Sequence, residues 1–182
     1  MEIQSLFGLP AHPLLVHVPI VLIPLTAIGA VAMLWSSWRH RLGWIVVALS
    51  FVSLVFVQLA IGSGQQLEEH VRESATVSQH AELADQLRPF AALLFLVLLA
   101  VMLLDWWRRR NPTPGDDGIG RLLASRGLAI GLGIVMITVA GLTTFWLGRT
   151  GHTGAQATWE QTQHRIDRGG GGEGGEGARP RR

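Results

Sequence analysis

Four long apolar segments constrain what this chain can fold into more than any other feature. Hydrophobic residues make up 48% of the 182 residues, and charged residues only 15%. The second segment carries no charge from Ile45 to Ile61. A run of about 20 apolar residues is long enough to cross a bilayer as a helix. We therefore predict an all-α fold, an integral membrane four-helix bundle whose surroundings are the lipid bilayer.

The predicted membrane domain spans residues 1–168. Its four transmembrane segments are expected at 13–38 (segment A), 42–73 (B), 78–109 (C) and 126–148 (D). The polar end of B and the polar start of C favour helix, so both are expected to extend beyond the outer membrane face. Residues 169–182 are rich in Gly, Glu and Arg, and such a tail is expected to be disordered.

Local sequence signals suggest where these segments begin and end. Arg39-His40-Arg41 is expected to form a tight turn between A and B. Ser78 is a candidate N-cap for C, because serine hydroxyls accept hydrogen bonds from free N–H groups at helix starts. The glycines of 148–154 predict a flexible turn after D, with a short helix over 155–166.

Arginine placement predicts the orientation in the membrane. Arginines are concentrated in the A–B and C–D loops, which the positive-inside rule places in the cytoplasm. Both termini are then expected outside the bacterial inner membrane. The start of the chain carries Glu2 and no basic n-region, so segment A is expected to remain as a helix rather than be cleaved.

The composition excludes several classes of function. Without cysteine there is no disulfide, no thiolate metal site, no iron–sulfur cluster and no cysteine nucleophile. The pI of 10.9 suggests nucleic-acid binding, but the net charge is only +2 and the arginines lie at helix ends and in the tail, so no nucleic-acid partner is expected. Hydrolase motifs are missing from the sequence. Whether the protein is an enzyme stays open.

Histidines are concentrated at the predicted outer end, and every segment supplies at least one. They are His12, His17, His70, His80 and His152. Imidazole is a common ligand of transition metals and of haem iron. One hypothesis is a haem b held by His17 with either His80 or His152, serving electron transfer. The alternative is zinc or copper bound by the five histidines together, and a third reading has no cofactor.

Neighbouring residues fit either kind of site, and they also fit a simpler explanation. His70 and Glu73 have the i,i+3 spacing that helix bundles use for metals, and Arg88 or Arg149 could meet haem propionates. Taken singly, an interfacial histidine is ordinarily only a polar residue in a wet layer. His12 and His17 are five residues apart, so an ideal helix would not place both on one side.

A non-enzymatic membrane subunit is a further hypothesis. Gly127 and Gly131 in segment D have GxxxG spacing, which allows two helices to approach closely. This spacing predicts a homo-oligomer, or a complex with a membrane redox partner, formed through segment D.

Two motifs carry a resemblance to a known family. They are the opening Gly8-Leu-Pro-Ala-His12-Pro13-Leu-Leu-Val-His17-Val-Pro19 and the closing Gly148-x-x-Gly151-His152-x-Gly154-Ala155. Together they resemble the uncharacterised bacterial membrane-protein family known as domain-of-unknown-function family 2231, from about Leu6 to Trp159. The resemblance implies four membrane helices in the same order. Because some relatives are joined to redox modules, it also implies an electron-transfer context.

Overall fold

A computed structural model of the chain describes residues 5–6, 9–68, 74–112 and 118–170. Two short strands, β1 (Ser5–Leu6) and β2 (Leu9–Pro10), pair antiparallel before the first helix. The helices of the described chain are α1 (Ala11–Ala32), α2 (Ser36–Glu68), α3 (Ala75–Arg110), α4 (Gly118–Ala124) and α5 (Arg126–Gly170).

Four of these helices are long and apolar enough to cross a membrane. The candidate spans are His12–Ala32, Ser36–Gln66, Ala75–Arg110 and Arg126–Glu160. The predicted all-α membrane bundle is therefore confirmed. The predicted metal-like spacing of His70 and Glu73 lies outside the described residues, as does most of the tail.

The four spanning helices form a ring. Helix α1 packs against α2 and α5, and α3 packs against the same two helices. Leu98, Met102 and Met136 are almost fully buried at the centre of the largest apolar cluster. We call the end of the ring that carries His12 and His80 the histidine end, and the end that carries Arg39 and Arg108 the arginine end.

The two helix pairs repeat one burial pattern. Buried positions of α1, and Met33 just after it, have buried counterparts 68 residues later in α3: Leu15 and Leu83, Ile23 and Ala91, Thr26 and Leu94, Ala30 and Leu98, Met33 and Val101. Between α2 and α5 the spacing is 90 residues: Val46 and Met136, Ser50 and Ala140, Ser53 and Thr143, Ala60 and Thr150, Ser63 and Thr153. The chain thus contains two copies of a two-helix unit, α1–α2 and α3–α5.

The first turn of the bundle lies earlier than predicted. Arg39-His40-Arg41 is part of α2, and the chain turns at 33–35 instead. The cause is tertiary, because Arg39 and His40 both reach Asp105 of α3 and these contacts come from helical residues. Ser36 and Ser37, just before them, suit a helix start.

Two other local predictions were also wrong. Helix α3 is capped by Ser74 rather than Ser78, since the Ser74 hydroxyl accepts a hydrogen bond from the Val77 N–H at 3.3 Å. The glycine-rich segment 148–154 is helical and continues α5 without a break. Its Thr150 and Thr153 hydroxyls donate to carbonyls of the preceding turn, and packing against α3 overrides the low helix propensity of glycine.

Candidate functional site

His12 is the second residue of α1 and its ring lies against α2. The Nδ1 atom is 2.9 Å from the Ala60 carbonyl oxygen and 3.2 Å from the Ser63 hydroxyl oxygen. A Cβ built on Gly64 would be 3.0 Å from Cε1 of this ring. Only a glycine at this position leaves the imidazole its present place.

His80 has the same surroundings in the second helix pair. Its Nδ1 atom is 2.9 Å from the Thr150 carbonyl oxygen and 3.4 Å from the Thr153 hydroxyl oxygen of α5. A Cβ built on Gly154 would be 2.9 Å from Cε1 of His80. The carbonyl, hydroxyl and glycine thus recur at the same relative positions, i, i+3 and i+4, in both units.

The two imidazole rings lie close together in an edge-on arrangement. Their centroids are 6.5 Å apart, and the ring planes are nearly perpendicular at 84°. Each histidine comes from one copy of the two-helix unit, so the pair lies where the two copies meet.

The hydrogen bonds determine which nitrogen of each ring remains available. A carbonyl oxygen only accepts, so Nδ1 of both rings must carry the proton and donate it. In the neutral imidazole, Nε2 then keeps its lone pair. Neither Nε2 atom hydrogen-bonds to any residue that the structure describes. A metal-binding histidine usually has this arrangement, in which one ring nitrogen is left for the metal and the N–H of the other donates a hydrogen bond to the protein.

A cavity of about 890 Å³ opens around the pair. Small and apolar side chains line most of it, including Val16, Ala81 and Ala84, with Thr158 and Thr162 towards one end. Cofactor pockets usually measure about 300–1,000 Å³ and are mainly apolar with a few placed polar groups. Both the size and the lining therefore suit an organic ligand.

The predicted site residues separate into groups. His12, His17 and His80 line the same cavity. His17 is exposed, and its Nδ1 donates to the Pro13 carbonyl one turn earlier. His152 is also exposed, since on α5 its neighbours Thr150 and Thr153 occupy the face towards His80. His70 lies outside the described residues.

Other predicted participants lie away from the imidazole pair. Arg88, one of the two arginines predicted to meet haem propionates, forms an i,i+3 ion pair at 3.1 Å with Asp85 of the cavity lining. Arg149 lies over the Trp146 ring, 5.8 Å from its centre. Gly127 and Gly131 are exposed with open space where a side chain would be, so within the described protomer they do not serve close packing. The oligomer through this helix stays a prediction.

The sequence analysis missed Ser63, Gly64, Thr153 and Gly154 as site residues. Their signal is an internal repeat rather than a motif at one place. A hydroxyl residue followed by glycine occurs at 63–64 in α2 and again at 153–154 in α5, the second helix of each pair. Comparison of the two halves of the chain could have found it.

Comparison with protein families gives a match over residues 8–166 to the family described as Predicted membrane protein (DUF2231). The chain belongs to the DUF2231 family. The matched range includes Ser63 and Gly64, Thr153 and Gly154, and the two histidines His12 and His80. The predicted resemblance is thus confirmed, and the protein is a multi-pass membrane protein. Searches of curated proteins and of solved structures give no match.

Proposed function

We propose that this DUF2231 protein binds one haem b between His12 and His80 and serves electron transfer in the membrane. The observation that carries the proposal is the facing imidazole pair, in which both Nδ1 atoms are bonded to backbone carbonyls. A bound haem would supply reversible one-electron chemistry. His12 replaces His17 in the pair that the sequence suggested.

The spacing of the rings supports two axial ligands on one iron. Two metal–imidazole bonds of about 2 Å, plus about 1 Å from each bonding nitrogen to its ring centre, give roughly 6 Å between ring centres. The observed separation is 6.5 Å. The ring separation therefore needs little change to accommodate a six-coordinate haem iron.

The residues around the pair would fix and protect such a cofactor. The carbonyls of Ala60 and Thr150 hold each ring by its Nδ1–H and so keep Nε2 unprotonated for the metal. Apolar side chains deeper in the cavity, including Val57, Leu87 and Leu147, would exclude water from the macrocycle. Thr158 and Thr162 could donate to its propionates only by turning their hydroxyls away from the Gly154 and Thr158 carbonyls, to which they now donate.

A zinc or copper site without haem receives less support. Zinc sites take three or four protein ligands, whereas a porphyrin supplies four and needs only two more. No group of three His, Cys, Asp or Glu side chains suited to a metal occurs in the part of the chain that the structure describes. The imidazoles of His12 and His80 would provide the two protein ligands that a haem iron needs.

The proposal is tested by optical spectroscopy on protein purified in mild detergent from a haem-sufficient host. We expect close to one haem per chain by the pyridine haemochrome assay, with low-spin bands in oxidised and dithionite-reduced spectra. Because the ring planes are nearly perpendicular, ferric protein should give a strongly anisotropic low-spin electron paramagnetic resonance signal rather than a rhombic one.

Matched histidine variants identify the ligands. His12→Ala and His80→Ala should each abolish the low-spin spectrum, while His17→Ala and His152→Ala should keep it. Loss of haem in His17→Ala with retention in His12→Ala would contradict the pair proposed here. A colourless wild-type protein that also fails to bind added haemin would overturn the haem proposal and leave a membrane subunit without a redox cofactor.

A further inference from the structure

A second groove lies at the arginine end of the bundle. It runs between α3 and α5 beside Leu34, just after the end of α1, and measures about 600 Å³. Leu34, Ile130 and Ile134 line it, and between about half and two-thirds of each residue is exposed. The groove thus offers an apolar surface that a hydrocarbon chain can cover.

Three charged side chains lie along the same groove. They are Arg39, Asp105 and Arg108. The Asp105 carboxylate has an oxygen 3.2 Å from Nε of Arg39, and it also pairs with Arg109. One carboxylate therefore serves two arginines. Among the described residues Arg108 has no acidic partner, which leaves the group with an excess of positive charge.

Arg108 is held in place without being neutralised. Its Nε donates to the Leu123 carbonyl at 2.8 Å, and one terminal nitrogen donates to the Ser125 carbonyl at 2.7 Å. Both acceptors are uncharged and belong to the turn between α4 and α5. The guanidinium is thus oriented by the backbone while its charge stays available to an anion.

Arg39 has an unused donor at the same place. Its Nε–H is buried and has no hydrogen-bond acceptor in the part of the chain described here, although the Asp105 carboxylate is at ion-pair distance. Asp105 also pairs with Arg109, so the charge of the Arg39 guanidinium is only partly neutralised. Two guanidinium groups therefore share the groove with its apolar wall.

We propose that this groove binds one anionic phospholipid, with an acyl chain along Leu34 and Ile134 and the phosphate between Arg39 and Arg108. Phosphate oxygens match the planar fork of arginine donors and would neutralise the excess charge. Basic residues next to a membrane span attract anionic headgroups. A quinone or a neutral lipid would cover the apolar wall but bring no net negative charge. The proposal does not depend on haem binding.

Native mass spectrometry of the full-length protein tests the proposal directly. Dioleoyl phosphatidylglycerol and dioleoyl phosphatidylcholine are added in equal amounts to protein in mild detergent. We expect one bound phosphatidylglycerol per chain, retained about tenfold more than phosphatidylcholine, which is the size of one charge-assisted contact. Arg39→Gln and Arg108→Gln should each reduce phosphatidylglycerol retention to the level of phosphatidylcholine.

Arg110→Gln is the matched control. It removes the same charge close to the groove, but Arg110 lies over the Trp106 ring, 4.1 Å from its centre, and does not line the groove. This variant should bind phosphatidylglycerol as the wild type does. Equal retention of the two lipids, or equal losses in Arg110→Gln and Arg39→Gln, would overturn the proposal.

Two measurements separate a lost lipid site from a damaged protein. Arg108→Gln also removes the tie to the α4–α5 turn, so if that variant fails to fold, Arg39→Gln alone decides. Helicity by circular dichroism should be unchanged in Arg39→Gln. In haem-loaded protein the haem absorbance should not change either, because the two sites lie at opposite ends of the bundle.

Discussion

At the residue scale, two glycines determine whether the imidazole pair can form. Gly64 and Gly154 lie so close to the rings of His12 and His80 that an added Cβ would be 3.0 and 2.9 Å from Cε1. Overpacking of this kind costs about 1–3 kcal/mol, which corresponds to an affinity roughly 5- to 150-fold weaker. We expect Gly64→Ala and Gly154→Ala to weaken haem binding by this range in a haemin titration of the apoprotein.

Gly62→Ala and Gly148→Ala control for the effect of alanine in a helix. Both lie on the same helices, and a Cβ at either meets nothing within 4 Å. They should bind haem as the wild type does. If they weaken binding as much as the first pair, close approach to the rings is not the cause.

The hydroxyls of Ser63 and Thr153 should influence the midpoint potential of a bound haem rather than hold the haem in place. Each donates to the carbonyl that also accepts the histidine Nδ1–H, at 2.9 Å for Ser63 and 3.0 Å for Thr153. Removing the hydroxyl takes one competing donor from that carbonyl, so the carbonyl accepts more strongly from the imidazole. The ring then becomes more electron-donating and stabilises ferric iron. Ser63→Ala should lower the midpoint potential by roughly 20–40 mV, equivalent to about 0.5–1 kcal/mol.

Potentiometric titration measures this shift, with haem content as the check. Haem content should stay at the wild-type level, because both imidazoles remain. A raised potential in Ser63→Ala would refute the proposed role of the hydroxyl, and a loss of haem would show that the hydroxyl is needed to hold the ring.

At the scale of elements, one carboxylate joins the start of α2 to the end of α3. The Asp105 side chain is 13% exposed and pairs with Arg39 and His40 of α2 as well as Arg109 of its own helix. Asp105→Asn leaves Arg39 and Arg109 without their anion and removes the acceptor beside His40. We expect the free energy of unfolding to fall by about 1–2 kcal/mol, a moderate value because the cations are partly exposed.

Thermal unfolding in detergent measures this loss, and Asp85→Asn provides the comparison. The Asp85 side chain is 57% exposed and, among the residues that the structure describes, pairs only with Arg88 of its own helix. Exposed pairs of this kind contribute roughly 0–1 kcal/mol. Equal destabilisation by the two variants would show that the Asp105 link between α2 and α3 stabilises the protein no more than an exposed ion pair does.

At the scale of the whole molecule, the repeated two-helix unit explains the position of the site. Each unit supplies one imidazole, one carbonyl, one hydroxyl and one glycine, so neither unit contains the imidazole pair alone. Helices α1 and α3 run in the same direction, which brings their first turns to one end of the bundle.

The absence of cysteine allows a direct test of the orientation. Single cysteines at Gln79 and Glu160, exposed at the histidine end, should react with a membrane-impermeant maleimide in intact cells. Cysteine at Ser37, exposed at the arginine end, should react only after the membrane is opened. The reverse pattern would contradict the orientation predicted from the arginine distribution.

The sequence by itself determined the membrane bundle, the four spans and the family. Apolar runs such as Ile45–Ile61 need no tertiary context, because a bilayer accepts only backbone whose hydrogen bonds are made within the segment. It also placed His12 and His80 at one end, since helix direction follows from the order of the spans.

Only the tertiary structure decided which histidines meet. His12, His17 and His152 look equivalent in the sequence, and rotation of each helix about its axis separates them. That rotation is set by the packing of Leu15, Leu83 and Thr150 against neighbouring helices, which is not a local property of the chain. The same packing keeps 148–154 helical despite its glycines and places Arg39 within α2, because contacts with α3 outweigh local turn signals.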